Sequence, residues 1–124
     1  MFDWRRPGNL GIDHGRLAPC KRTPNCVSSQ ANPADREHYI APLAYAGTIA
    51  ELRRIIERLP RATVIREAPD YLYAEFRTRL LRYVDDVEFL KSGSVLHVRS
   101  ASRLGRRDFG VNRRRVEEIR ALLR

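Results

Sequence analysis

Between Thr48 and Pro60 the apolar residues recur every three to four positions, beyond Ala62 they recur every two, and past Asn112 the longer period returns. The three stretches predict a helix, a set of strands and a second helix. In the first, Ile49, Leu52, Ile55, Ile56 and Leu59 form one stripe, with Arg53, Arg54, Glu57 and Arg58 outside it. Thr48-Ile49-Ala50-Glu51 opens this helix as a capping box, in which the threonine hydroxyl and the glutamate carboxylate satisfy reciprocal backbone donors. Pro60 closes it, having no N–H to continue the ladder.

In the period-two region, Thr63–Glu67 and Tyr71–Phe76 flank Pro69-Asp70 and predict a hairpin. Arg82–Leu90 and Val95–Ser100 flank Ser92-Gly93 and predict another. Taking Ser92-Gly93 as a two-residue loop sets Phe89 opposite Leu96 and Val87 opposite Val98 on one face. The other face then pairs Glu88 with His97 and Asp86 with Arg99, while Asp85 shares the apolar face. A loop one residue longer would oppose Val87 to His97, mixing apolar with charged side chains, so the shorter register is expected. Tyr39–Leu43 reads as a short edge strand because Pro42 interrupts it. The last helix starts at Asn112 as N-cap and presents Val116, Ile119, Leu122 and Leu123.

The expected fold is α+β: an antiparallel four-stranded meander packed against two helices, with residues 36–124 forming a single domain. Residues 1–35 are broken by Pro7, Gly8, Gly11, Gly15, Pro19, Pro24 and Pro33. They are expected to form an irregular arm packed on that domain, since so long a loop in a small protein needs anchoring.

Composition sharpens this picture only through its charge. With 43% hydrophobic and 31% charged residues the 124-residue chain is ordinary for a globular domain. No apolar run approaches the ~18 residues of a transmembrane span. Met1–Pro7 lacks the apolar core of a signal peptide, so the chain as written reads as cytoplasmic, or as periplasmic or membrane-anchored if the native N-terminus is longer. The formal charge is +9, and 22 of the 24 cationic side chains are arginine. Seven arginines against one aspartate fall between Arg99 and Arg115, so +6 of that charge sits in one segment.

Arg113, Arg114 and Arg115 fall in the first turn of the last helix, where the macrodipole penalises each cation by about 0.3–1 kcal/mol. Something anionic must offset this. Internal candidates are Asp108 and Glu117 with the strand acids Asp85, Asp86 and Glu88; the external candidate is a bound phosphate, sulfate or carboxylate. The sequence thus nominates Arg99, Arg103, Arg113, Arg115 and Asn112 as ligand-binding residues, and Asp85, Asp86, Glu88, His97 and Asp108 as a polar cluster. The leading function is a non-enzymatic module holding an anionic small molecule or an acidic protein surface. A second reading is a hydrolase or isomerase using Asp86 or Glu88 with His97. Nucleic acid is disfavoured, because the basic segment contains one aromatic residue, Phe109. No metal or cofactor is expected: strand alternation separates Asp85 from Asp86 and Glu88, and the flanking arginines repel a dication. Cys20-x5-Cys26 lacks the spacing of a zinc knuckle; the pair is a disulfide in an oxidising compartment and two thiols in a reducing one.

Three stretches act together as a signature: Pro19-Cys20 through Pro24-Asn25-Cys26-Val27-Ser28-Ser29-Gln30, then Tyr83-Val84-Asp85-Asp86-Val87-Glu88-Phe89, then Arg99-Ser100-Ala101-Ser102-Arg103 with Asp108-Phe109-Gly110-Val111-Asn112-Arg113. In this order they resemble the bacterial and plastid family grouped as domain of unknown function 1499, over essentially the whole chain after Leu17. The resemblance brings no biochemical activity with it. It implies relatives that are frequently exported or membrane-anchored, to which a Cys20–Cys26 disulfide is suited. Lys21-Arg22 and Arg106-Arg107 are more basic than the family pattern.

Overall fold

The computed structural model describes residues 5–80 and 83–124. Two helices, α1 (Ile49–Glu57) and α2 (Val111–Leu122), pack against one antiparallel sheet. Its strands are β1 (Cys26–Ser28), β2 (Leu43–Ala44), β3 (Ala62–Ala68), β4 (Tyr71–Arg77), β5 (Val84–Ser92) and β6 (Val95–Ser102). The spatial order is β1-β6-β5-β4-β3, with β2 also paired to β6. The sheet therefore has six strands, not the four of the sequence reading. The two additions are too short to show a period: β1 lies in the stretch read as irregular, and β2 begins at the last residue of the expected Tyr39–Leu43 strand. Both exist because β6 offers them its free edge. The expected strand start at Arg82 lies outside the described residues, as do Met1–Trp4.

α1 forms as its pattern dictates. Thr48 Oγ1 accepts from Glu51 N, and Glu51 Oε1 accepts from Thr48 N, completing the capping box. Ile49, Leu52 and Ile56 are buried, each contributing about 1.5–3 kcal/mol of transfer free energy as an upper estimate. They join Leu72, Ala74 and Phe76 of β4, Val87 and Phe89 of β5, Leu96 and Val98 of β6, and Val116 and Ile119 of α2 in one core. The opposite face of β4, β5 and β6 carries Tyr71, Tyr73, Glu75, Asp86, Glu88 and Arg99, and these too are buried.

The β5–β6 hairpin corrects the expected register. The loop has two residues, but they are Gly93 and Ser94, so Phe89 faces Val98, Glu88 faces Arg99, Leu90 faces His97 and Asp86 faces Ala101. Sliding one strand by two residues leaves every side chain on its face, so face consistency could not separate the two registers. Turn chemistry does. Gly93 has φ +61°, and at the first loop position it takes the positive φ of a II′ turn; the expected loop would have put Ser92 there. A bulge at Ile65 shifts the β3–β4 register between Val64 and Arg66.

Asn112 is not the N-cap of α2. Gly110 holds that position in a left-handed conformation without a capping side chain. Asp108 does the work instead: Oδ1 accepts from Gly110 N at 2.9 Å and Oδ2 from Asn112 N at 3.1 Å. Asn112 lies inside the first turn, fully buried.

Candidate functional site: the polar face of the sheet

Strand alternation explains why charge gathers beneath the N-terminal segment. Tyr71, Tyr73 and Glu75 alternate on β4, Asp86 and Glu88 on β5, and Arg99 follows on β6, so one face of three adjacent strands is polar. Residues 5–22 cover it. They turn tightly at His14-Gly15, where Asp13 and Arg16 exchange backbone hydrogen bonds and both turn residues have positive φ. Leu17 and Leu10 pack on Tyr71, Tyr73 and Leu90. Gly11 N donates to Glu88 Oε2 at 2.7 Å, and Arg6 Nε donates to Glu75 Oε2 at 2.7 Å. The disulfide Cys20–Cys26 ties the end of this cover to β1.

Two subclusters share the face. In the first, Arg103 bonds Asp86 through Nε at 2.9 Å and through NH2 at 2.8 Å, and reaches Glu75 at 2.6 Å. The Tyr73 hydroxyl donates its one proton to Asp86 at 2.5 Å, and Glu75 Oε2 lies 3.1 Å from the same hydroxyl. Hydrogen bonding to Asp86 raises the Arg103 pKa, so this guanidinium is permanently charged. Burial alone would raise Glu75, yet Arg6 and Arg103 hold it below the usual carboxylate range. Burial and the Asp86 carboxylate push the Tyr73 phenol up, keeping it a donor. This subcluster is compensated.

The second is not. Glu88 is fully buried and Arg99 is 3% exposed. Their closest approach is 3.8 Å, from Arg99 NH1 to Glu88 Oε1. Arg99 NH2 donates to the Pro19 carbonyl at 3.3 Å, while Arg99 Nε and Glu88 Oε1 have no hydrogen-bond partner. Burial lowers the Arg99 pKa despite the nearby acids. Arg99 lines a cleft of about 460 Å³ together with Arg5, Arg6, Lys21, Arg103 and Asp86. Five cations and one carboxylate give the cleft a positive potential.

The remaining nominated residues lie on the other face of the sheet or at its margin. Arg115 NH2 is 2.8 Å from Asp85 Oδ2, off the hydrogen-bonding direction, so the contact is one of charge, and its guanidinium also stacks on Phe76. This is the carboxylate that the first turn of α2 requires. Burial nonetheless raises the Asp85 pKa. Asn112 is a hub, donating to Asp108, Ser102 and the Asn25 carbonyl and accepting from Ser100 and Arg115. Arg113 donates to the carbonyls of Arg36 and Glu37. The structure thus brings Arg99 and Arg103 together and sets Arg113, Arg115 and Asn112 apart from them. His97 does not face Glu88; its Nδ1 lies 3.1 Å from Ser29 Oγ, and burial pushes its pKa down. The expected pairing of His97 with Asp86 or Glu88 is not assembled.

Tyr71, Tyr73, Glu75, Arg6 and Lys21 escaped the sequence reading. The signal for the first three was present, since Tyr71-x-Tyr73-x-Glu75 has the same alternation as Asp86-x-Glu88. The contribution of the cover carries no period. One further cluster, Asp35, Glu37 and His38, has the ligand atoms to hold a metal ion. His38, however, has both ring nitrogens engaged, Nδ1 with Asp35 Oδ2 at 2.8 Å and Nε2 with the Thr23 carbonyl at 3.0 Å.

The fold and site define a small α+β domain with an antiparallel six-stranded sheet whose second face is a buried polar layer. Residues 16–123 match the family described as Protein of unknown function (DUF1499), and the chain belongs to that family. No curated protein and no solved structure matches it. Among the described residues, no helix is long and apolar enough to cross a membrane.

Proposed function

We propose that this protein is a non-enzymatic binding module whose ligand is a small carboxylate- or phosphate-bearing molecule, seated in the cleft between Arg99 and Lys21. The supporting observation is the state of Arg99. It is a buried guanidinium with an unsatisfied Nε, a long carbonyl contact and no carboxylate within hydrogen-bonding distance. Leaving such a group uncompensated is costly, and an anion with two oxygens on one atom matches the guanidinium fork. Lys21 is the second arm, its Nζ at present donating to the Ser102 carbonyl at 2.9 Å. Asp86 and Glu75 do not compete, because Arg103 and Arg6 already engage them.

Thermal unfolding in phosphate, sulfate and acetate, each at ionic strength matched with chloride, tests this. A ligand of the native state raises the melting temperature with concentration. The rise is expected in the unmodified protein and is expected to vanish in Lys21→Ala and shrink in Arg99→Lys, which keeps the charge but not the fork. Equal shifts in all three proteins, or none beyond chloride, would remove the proposal.

A further inference from the structure

Leu80 and Phe109 are 90% and 83% exposed, on two loops that leave the same end of the sheet. Arg77 at the end of β4 lies opposite Val84, and Ser102 at the end of β6 lies opposite Asp85, so the β4–β5 and β6–α2 connections emerge side by side. The turn from α1 into β3 joins them: Arg77 N donates to the Arg61 carbonyl at 3.0 Å. Leu59, Arg61, Arg77 and Arg114 line one groove there.

This end is basic as well as apolar at its tips. Arg61, Arg77, Arg79, Arg106, Arg107 and Arg114 are all exposed, and none of the six makes an ion pair among the described residues. Asp108, the one acid of the β6–α2 loop, turns inward to cap α2. Phe109 has φ +53°, a left-handed conformation that glycine or asparagine adopts at far lower cost. A strained backbone that presents a large ring to solvent serves no packing purpose within the fold.

We infer that this end of the sheet docks on the surface of an anionic phospholipid bilayer, with Phe109 and Leu80 entering the headgroup layer and the arginines meeting lipid phosphates. Apolar side chains at loop tips ringed by unpaired cations supply both terms of interfacial binding, burial of apolar area and attraction to anionic lipid. A single-stranded nucleic acid would want a row of rings for stacking, whereas here one ring is paired with an aliphatic side chain. The inference is independent of Arg99 and its cleft.

Co-sedimentation with vesicles of phosphatidylcholine alone and of phosphatidylcholine with phosphatidylglycerol provides the test. Binding is expected to the anionic vesicles only and to be released by raised salt. Phe109→Asn should weaken it by about tenfold, the equivalent of a partly buried ring, while its melting temperature does not fall, because asparagine tolerates the left-handed backbone. Arg106→Glu with Arg107→Glu should abolish it. Absence of binding to anionic vesicles, undiminished binding by Phe109→Asn, or tighter binding of a single-stranded oligonucleotide than of vesicles would each overturn the inference.

Discussion

The Tyr71 hydroxyl reaches diagonally across the β4–β5 pair and donates to Glu88 Oε2 at 2.5 Å, the same oxygen that accepts from Gly11 N. Burial and the adjacent carboxylate push the Tyr71 phenol up, so it remains a donor throughout the accessible pH range. Tyr71→Phe removes one of the two donors of a fully buried carboxylate. It should cost about 1–3 kcal/mol in denaturant unfolding. It should also speed amide exchange at Gly11, because the cover is fastened to the sheet through the same oxygen. A variant as stable as the parent would show that Glu88 does not depend on Tyr71.

Asp108→Ala removes the acceptor of Gly110 N, Asn112 N and Asn112 Nδ2 together. The expected loss is about 1–2 kcal/mol, the upper part of the range for a helix cap. Asp108→Asn, which keeps one acceptor oxygen, should recover part of it. Urea unfolding of the two variants checks the order.

His38 gives the fold a dependence on pH near neutrality. Burial by itself would lower its pKa, but the Thr23 carbonyl and the Asp35 carboxylate outweigh that effect and raise it. Both nitrogens face acceptors, which only the imidazolium satisfies. A folded pKa above the unfolded value of about 6.5 means a stabilisation fully present below that pH and lost as pH climbs through the folded value. Melting temperature should therefore decline as pH rises above about 6.5. His38→Gln should flatten that decline.

Glu75 acts in the opposite direction. Its folded pKa is depressed, so its stabilisation is present above the ordinary carboxylate value and disappears as pH falls towards the folded one. Glu75→Gln should blunt acid unfolding below about pH 4. An unchanged acid limb would mean that Arg103 and Arg6 pair with it too weakly to matter.

The Cys20–Cys26 disulfide closes a short loop, with a sequence separation of 6. On the chain-entropy account, opening it should cost about 2 kcal/mol. Cys20→Ser with Cys26→Ser, or reduction of the native protein, should lower the melting temperature accordingly. Loosening should be largest at Lys21 and Asn25, which bond to the Ser102 carbonyl and to Leu104 and Gly105.

The helices and the β3–β6 meander were legible because each satisfies a local rule, as the capping box at Thr48 and the alternation through Val87, Phe89, Leu96 and Val98 show. The hairpin register was not, because a shift by an even number preserves faces and the decision lay in the φ preference of Gly93. Nor was the polar layer. Alternation marks Tyr73, Asp86 and Arg99 as sharing a face, but a polar face under solvent and one under an aperiodic cover give the same pattern. In the sequence Arg99 and Arg103 stand out only as members of a basic segment, Arg113 and Arg115 by their place in the first turn of a helix, and Asn112 as a helix start. None of these signals reveals the carboxylate, carbonyl and hydroxyl partners that the tertiary fold brings to each.

Asp85 and Asp86 are neighbours in sequence, yet one faces Arg115 beneath the helix and the other Arg103 beneath the cover. The dipeptide is a registration mark. A slip of β5 by a single residue would exchange the layers of the two carboxylates, turn Val87 towards the polar face and drive Glu88 into the apolar core among Leu72, Leu96 and Val98. Misassembly by one residue thus fails on both sides of the sheet at once, and the charges that make this interior expensive also make its correct alignment unambiguous.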